Sequence, residues 1–199
     1  LTGAGALICG KTNLDEFGMG SHTRPVFTST TQSPFKRNGE ALSAGGSSGG
    51  SAVAVATGQA WAALGTDTGG SVRLPAAYTG TVGFKPSYGR LSRWGVIAYA
   101  NSLDTVGTLT QNVEHARDIF NVLDSFDPMD PTSLSEIVRN EAEYQSIASM
   151  EDKRLRIGIP LDYNTASLSP EVRQTWSQLL TSLQDAGHSL HPVSLPSTH

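Results

Sequence analysis

Two serines stand in separate glycine-rich turns, Gly45-Gly46-Ser47-Ser48-Gly49-Gly50-Ser51 and Asp67-Thr68-Gly69-Gly70-Ser71. Glycine admits backbone conformations and close approaches that other residues forbid. A serine held in such a turn presents its hydroxyl beside several free backbone N–H groups, so nucleophile and oxyanion donors can come from one loop. Gly/Ser clusters by themselves are commonly flexible linkers. Here the apolar runs Ser51-Ala52-Val53-Ala54-Val55-Ala56-Thr57-Gly58 and Ala60-Trp61-Ala62-Ala63-Leu64 flank the turns and predict buried elements that pin both.

Three further motifs carry competing chemistry. Gly5-Ala6-Leu7-Ile8-Cys9-Gly10-Lys11-Thr12 fits the P-loop pattern of nucleotide binding. A P-loop needs a strand before its first glycine, whereas Ala6-Leu7-Ile8-Cys9 reads as a buried strand itself. Gly46-Ser47-Ser48-Gly49-Gly50 satisfies the nucleophile-elbow pattern, which would make Ser48 the nucleophile and require a later acid and histidine. The available histidines are His115, in an amphipathic helical pattern, His188 and His191, flanking a short strand, and the terminal His199, all better read as structural or exposed. Asp15-Glu16 and the pair Asp127 and Asp130 have no Ca-loop or His-x-x-x-His context, so capping and turn formation by aspartate is the reading and no metal is expected.

Taken in order, Gly10-Lys11-Thr12-Asn13-Leu14-Asp15-Glu16-Phe17, the Gly45–Ser51 turn, Gly65-Thr66-Asp67-Thr68-Gly69-Gly70-Ser71-Val72-Arg73 and Gly83-Phe84-Lys85-Pro86-Ser87-Tyr88-Gly89 resemble the amidase signature family. Ser102-Leu103-Asp104-Thr105-Val106-Gly107 and Asp127-Pro128-Met129-Asp130 look most like its tRNA-dependent glutaminase branch. The resemblance implies an α/β amidase signature fold, a mixed β-sheet core covered by helices, incomplete in this chain. It also implies a Ser–cis-Ser–Lys triad. Ser71 would be the acyl-ester nucleophile and Ser47 the relay serine, preceded by a cis peptide bond, with Thr68, Gly69 and Gly70 forming the oxyanion hole. The triad lysine would lie upstream of Leu1, and Lys11 is not its substitute. A serine hydroxyl is a poor nucleophile until a base takes its proton, and a lysine serves as that base only where burial leaves it neutral.

The activity so implied is that of a glutaminase component, hydrolysing glutamine to supply ammonia for Gln-tRNA(Gln). Its implied partners are a B-type amidotransferase subunit, which amidates Glu-tRNA(Gln) and handles the tRNA, and a small accessory subunit. No cofactor is implied in the glutaminase component; ATP and Mg are used by the complex. Arg73-Leu74-Pro75 departs from the Arg-Gln-Pro common in bacterial relatives and tilts the resemblance toward a fungal, organellar form in the mitochondrial matrix, with a bacterial cytoplasm as the alternative. A stand-alone amidase or allophanate-hydrolase-like enzyme, and a catalytically silent scaffold subunit, are the competing readings.

Composition agrees with a globular chain and narrows its partners. The 199 residues are 16% charged and 38% hydrophobic, and a net charge of −4 gives no basis for a nucleic-acid surface of its own. The single cysteine, Cys9, excludes an internal disulfide framework. No apolar stretch is long enough to cross a membrane. The chain is expected to be a piece of a larger protein, inactive and poorly stable alone. It reads as part of a single amidase signature domain: a Gly/Ser-rich catalytic core over 1–126, a polar surface segment over 127–150 with a loop and a helix, and a β-α-β unit over 155–195. Thr110 is expected to cap a helix running to about Phe126, with Val113, Ala116, Ile119, Phe120 and Leu123 inward. Ser169-Pro170 reads as N-cap and N1 of a second helix burying Val172, Trp176, Leu179, Leu180 and Leu183 and ending at Gly187.

Overall fold

The structure, a computed structural model, describes residues 1–141, 154–163 and 167–196. The chain divides into two units, Leu1–Asn140 and Glu141–His199. The first unit carries both serine turns. A hairpin of β1 (Gln32–Arg37) and β2 (Glu40–Ser43) precedes α1 (Gly49–Ala56), then β3 (Ala62–Asp67), α2 (Arg73–Thr79), β4 (Val82–Phe84), β5 (Thr105–Thr110) and α3 (Val113–Leu123). The strands β3 and β4 both pair antiparallel with β5, which is central in a three-stranded sheet.

The core is made of small side chains. Ala52 and Val55 of α1, Ala76 of α2, Val72 just before α2 and Leu109 of β5 form one buried cluster. The register pairs Gly65 of β3 with Gly107 of β5. A Cβ added at Gly65 would stand 3.0 Å from a Val72 methyl, and one at Gly107 would stand 3.2 Å from the same methyl. The Val72 side chain therefore seats directly on bare sheet backbone, which only glycine allows.

Both helices begin at a serine turn, and neither is capped by its own N-cap side chain. The opening N–H groups of a helix have no intrahelical acceptor and need one from elsewhere. For α1 the acceptors are Thr23 Oγ1, bonded by Gly49 N–H at 2.9 Å, and Asn13 O, bonded by Gly50 N–H at 3.0 Å. For α2 the acceptor is the carboxylate of Asp67, which takes the N–H of Val72 at 3.1 Å and of Arg73 at 3.3 Å. The Ala/Val sequence of α1 alone would form a weak helix; its packing and these borrowed caps hold it.

Two expectations for this unit change. Residues 6–9 are neither a strand nor buried: Leu7 is 92% and Ile8 75% exposed, and Cys9 is exposed. No strand pairs with them among the described residues, and apolar character without a ladder or cover does not make a strand. Thr110 ends β5, where it pairs with Ala62 and Val82. The cap of α3 is Asn112, in extended conformation, whose side chain accepts from His115 N–H at 2.8 Å. The helix stops at Leu123 because Asp124 turns away into ion pairs with Arg90 and Arg139. Arg139, in a helical stretch over 136–141, is buried and also donates to the carbonyls of Gly89, Arg90 and Leu134. The remainder of the 127–150 segment, residues 142–150, lies outside the described residues.

The second unit is a β-α-β arrangement: β6 (Arg156–Pro160), α4 (Pro170–Asp185) and β7 (Ser189–Val193), with β6 and β7 parallel. Ser169 caps α4 through Val172 N–H and Pro170 opens it. Leu180 and Leu183 are half-buried, but Val172, Trp176 and Leu179 are exposed. A two-stranded sheet offers a strip only about 5 Å between strand axes, too narrow to cover the whole apolar stripe.

Candidate active site

The two turns lie against each other. Ser48 N–H donates to Ser71 O at 3.1 Å, so the backbone links the loop carrying Ser47 to the one carrying Ser71. The Gly46–Ser47 peptide bond is cis. Ser47 is fully buried, its Oγ makes no hydrogen bond among the described residues, and it faces Gly18, where an added Cβ would stand 3.8 Å away. A buried hydroxyl without a partner is destabilising by about 1–3 kcal/mol, so one kept beside a glycine-rich serine turn marks a functional position.

Gly69, Gly70 and Ser71 present N–H groups that no acceptor takes among the described residues. Gly70 has φ 147°, a region favouring glycine. The turn that carries them is tied at both ends by buried carboxylates. At one end Asp67 accepts the Val72 and Arg73 N–H groups, Arg73 Nε at 3.0 Å and Nη2 at 2.8 Å. At the other, Thr68 Oγ1 donates to Asp104, which also accepts from the backbone of Tyr99 and Ala100. Burial pushes Asp67 upward, but its bonds to Arg73 and to the Val72 and Arg73 N–H groups outweigh it and hold its pKa below the ordinary value. In Asp104, too, burial is opposed and exceeded, here by Thr68, Ala100, Tyr99 and the Arg93 charge. Both stay ionised as fixed anions. Asp67 holds the turn through the Val72 and Arg73 N–H groups and Asp104 through the Thr68 hydroxyl, while the guanidinium of Arg73 answers the charge of Asp67.

Ser48 is occupied differently. Its Oγ is bonded to both the N–H and the carbonyl of Thr66, at 3.3 Å each. These bonds commit it to anchoring the turn to β3. The histidines an elbow would need do not join it. His115 sits in α3 with its ring 4.4 Å from that of Trp61. His188 Nδ1 accepts from Leu155 N–H, and His191 bonds Ser189, both in the second unit; His199 lies outside the described residues. The P-loop reading fails on local structure: no helix follows Lys11-Thr12, and Thr12 Oγ1 is engaged with Ser51 Oγ at 2.7 Å.

Asp15, Asp127 and Asp130 act as turn formers. Asp15 accepts from the N–H groups of His22, Thr23 and Arg24, Asp127 from Met129, and Asp130 from Thr132 and Arg93. A cavity of about 550 Å³ is bordered by Tyr88, Arg93, Trp94, Asn101, Asp104 and Thr132 and is not lined by Ser47 or Ser71. The serine turns, where hydroxyls stand beside backbone N–H groups unpaired among the described residues, are the better candidate for acyl transfer. Asp104 is the one residue the cavity shares with them. Sequence reasoning missed Asp104 and Thr23, whose partners lie 36 and up to 26 residues away.

Two adjoining serine turns whose N–H donors are unpaired among the described residues can offer a nucleophile and an oxyanion hole for acyl transfer. A family model described as Amidase matches residues 1–199. The chain belongs to the amidase family. Within it, the chain is 59% identical over its full length to the A-type subunit of the mitochondrial glutamyl-tRNA(Gln) amidotransferase of Emericella nidulans, covering 40% of that protein. It is 54% identical to the corresponding subunit from Eremothecium gossypii, over 97% of the chain and 41% of that protein. The crystal structure of the A-type glutamyl-tRNA(Gln) amidotransferase subunit from Thermotoga maritima superposes with a TM-score of 0.80 at 36% identity, covering 96% of this chain and 40% of that one. An allophanate hydrolase from Kluyveromyces lactis gives a TM-score of 0.81 at 30% identity, with 96% and 30% covered. The amidase chain thus spans about 40% of the length of the curated relatives it matches.

Proposed function

We propose that the protein carrying this segment is the glutaminase component of a mitochondrial Glu-tRNA(Gln) amidotransferase. Ser71 attacks the side-chain amide of glutamine. The tetrahedral oxyanion is held by the N–H groups around Thr68, Gly69 and Gly70. The proton taken from Ser71 is returned to the leaving nitrogen as the C–N bond breaks, ammonia departs, and water releases glutamate from the acyl-enzyme. Ser47 passes the Ser71 proton to a lysine supplied by another part of the protein, since Lys11 is exposed and bonded to neither serine turn. The ammonia goes to a B-type partner subunit that amidates Glu-tRNA(Gln) with ATP and Mg in the mitochondrial matrix, with a small accessory subunit completing the complex. Three of these assignments, namely tRNA handling, ATP use and the accessory subunit, rest on the kinship with amidotransferase A-type subunits alone.

One observation carries the chemical reading: a buried, unbonded Ser47 hydroxyl on a turn joined through Ser48 N–H to the carbonyl of Ser71. The test is to treat the full-length protein with an electrophilic glutamine analogue and map the labelled peptide. Label on Ser71 is expected, and label on Ser48 overturns the assignment. The allophanate hydrolase likeness supports a second reading, a stand-alone amidase. Glutamine turnover that rises on adding the partner subunits favours the first, and turnover indifferent to them favours the second.

A further inference from the structure

Ser47 Oγ makes no hydrogen bond among the described residues, so its place is set by the backbone that carries it. That backbone is gripped from one side by residues 15–24. Thr23 is fully buried, and its Oγ1 lies 2.8 Å from the carbonyl of Gly45 and 3.2 Å from that of Ser47. The same oxygen accepts Gly49 N–H at 2.9 Å. A single hydroxyl thus touches the turn before Ser47, at it and after it. Asp15 supplies the other half. Its N–H donates to Ser47 O at 3.1 Å, and its carboxylate accepts Thr23 N–H at 2.9 Å and Arg24 N–H at 2.9 Å. Gly46 lies flat on this clasp: a Cβ there would stand 2.3 Å from Asp15 Oδ2.

The clasp is held in an unfavourable conformation. Thr23 has φ 50°, a left-handed value that is an outlier for a β-branched residue. Such conformations persist only where the surroundings over-determine them, and they cluster at functional sites. A turn that merely needed a hydroxyl could take serine, which lacks the branched Cβ, with less strain.

We infer that Thr23 and Asp15 are positioning residues that fix the backbone on either side of Ser47, and with it the place of the Ser47 hydroxyl, an inference that rests on the relay role proposed for Ser47. Proton transfer between side chains needs heavy atoms about 2.6–3.2 Å apart, and a displacement of about 1 Å lowers rates by roughly 10²-fold. Both residues are buried beneath the turn, so the effect is expected to fall on turnover and leave glutamine affinity alone.

The experiment compares Thr23→Val, equal in shape and branching but lacking the hydroxyl, with Thr23→Ser, which keeps it. Both are made in the full-length protein with its partner subunits, alongside Ser71→Ala. Glutamine-dependent ammonia release is measured per folded protein. Thr23→Val is expected to lower kcat by at least about 10-fold with KM held within about 2-fold, and Thr23→Ser to stay within about 3-fold of the parent. A Thr23→Val enzyme with parental kcat, or a Thr23→Ser enzyme as slow as Thr23→Val, overturns the inference. Activity surviving in Ser71→Ala would instead overturn the underlying mechanism, which keeps the two failures distinct. If Thr23→Val does not fold, Asp15→Asn replaces it; a fall in kcat at constant KM supports the clasp, and unchanged kcat overturns it.

Discussion

Asp67 offers a quantitative test of how the Ser71 turn is held. In Asp67→Ala the N–H groups of Val72 and Arg73 lose their acceptor, and Asp67 is fully buried. A buried donor left unmade is destabilising by about 1–3 kcal/mol. The Arg73 side chain, 52% exposed, regains water and adds little. The two backbone groups together therefore set a loss of about 2–6 kcal/mol, a large part of the ordinary margin of roughly 5–15 kcal/mol. Asp67→Asn keeps one oxygen for the two N–H groups at neutral strength and should lose about half as much. Urea unfolding of the full-length protein, followed by tryptophan fluorescence, reads both, since Trp61 directly precedes β3. The variants should also slow turnover in the same order, because the turn they slacken carries the oxyanion donors. A loss below about 1 kcal/mol in Asp67→Ala, or equal losses in the two variants, would refute the assignment of Asp67 as the cap that closes this turn.

Other outcomes follow from the same geometry. Ser71→Ala is expected to abolish acyl-enzyme formation while Ser48→Ala retains far more activity, read by trapping with the electrophilic analogue, because the Ser48 hydroxyl is committed to Thr66. Ser47→Ala should reduce kcat on the order of 10²–10⁴ with KM nearly unchanged; a pure rise in KM would mean a binding role. Asp67, Asp104 and Asp130 each sit below the ordinary 3.8, burial raising them but hydrogen bonds and nearby arginines prevailing. Carboxyls with depressed folded values contribute stability that is whole above the unfolded value and lost as pH falls through the folded one. Acid unfolding should therefore steepen below about pH 4, and Asp104→Asn should flatten that limb in a pH series of urea midpoints.

The serine turns and the β-α-β unit are legible because their signals are local: glycine placement, apolar runs and the Ser169-Pro170 start. What the sequence conceals is tertiary. Thr110 carries the chemistry of a cap, yet ladder pairing at the end of β5 claims it and leaves the role to Asn112, two residues on. Leu7 and Ile8 have strand composition, but composition does not reveal whether a partner strand is at hand. The α4 stripe is legible as helical and its cover is not, because periodicity shows which face is apolar and not how wide its support is. Asp15 is recognisable as a turn former. That its turn grips the backbone around Ser47 depends on Thr23, an ordinary threonine in sequence and a left-handed outlier in space.

The seating of Val72 on the bare backbone of Gly65 and Gly107 has a consequence for how this protein tolerates change. Val72 follows the proposed nucleophile directly, and a side chain grown at these glycines would press on it as well as on nearer neighbours, Ser48 Oγ at 2.5 Å from Gly65 and the Phe84 carbonyl at 2.6 Å from Gly107. Selection at these two sheet positions is then a filter on volume alone, indifferent to charge or polarity. A saturation library would record them as inactive at alanine while neighbouring strand positions accept many residues. Two bare sheet positions thus set how closely Val72 and Ser48 can pack against the strands that carry the serine turns.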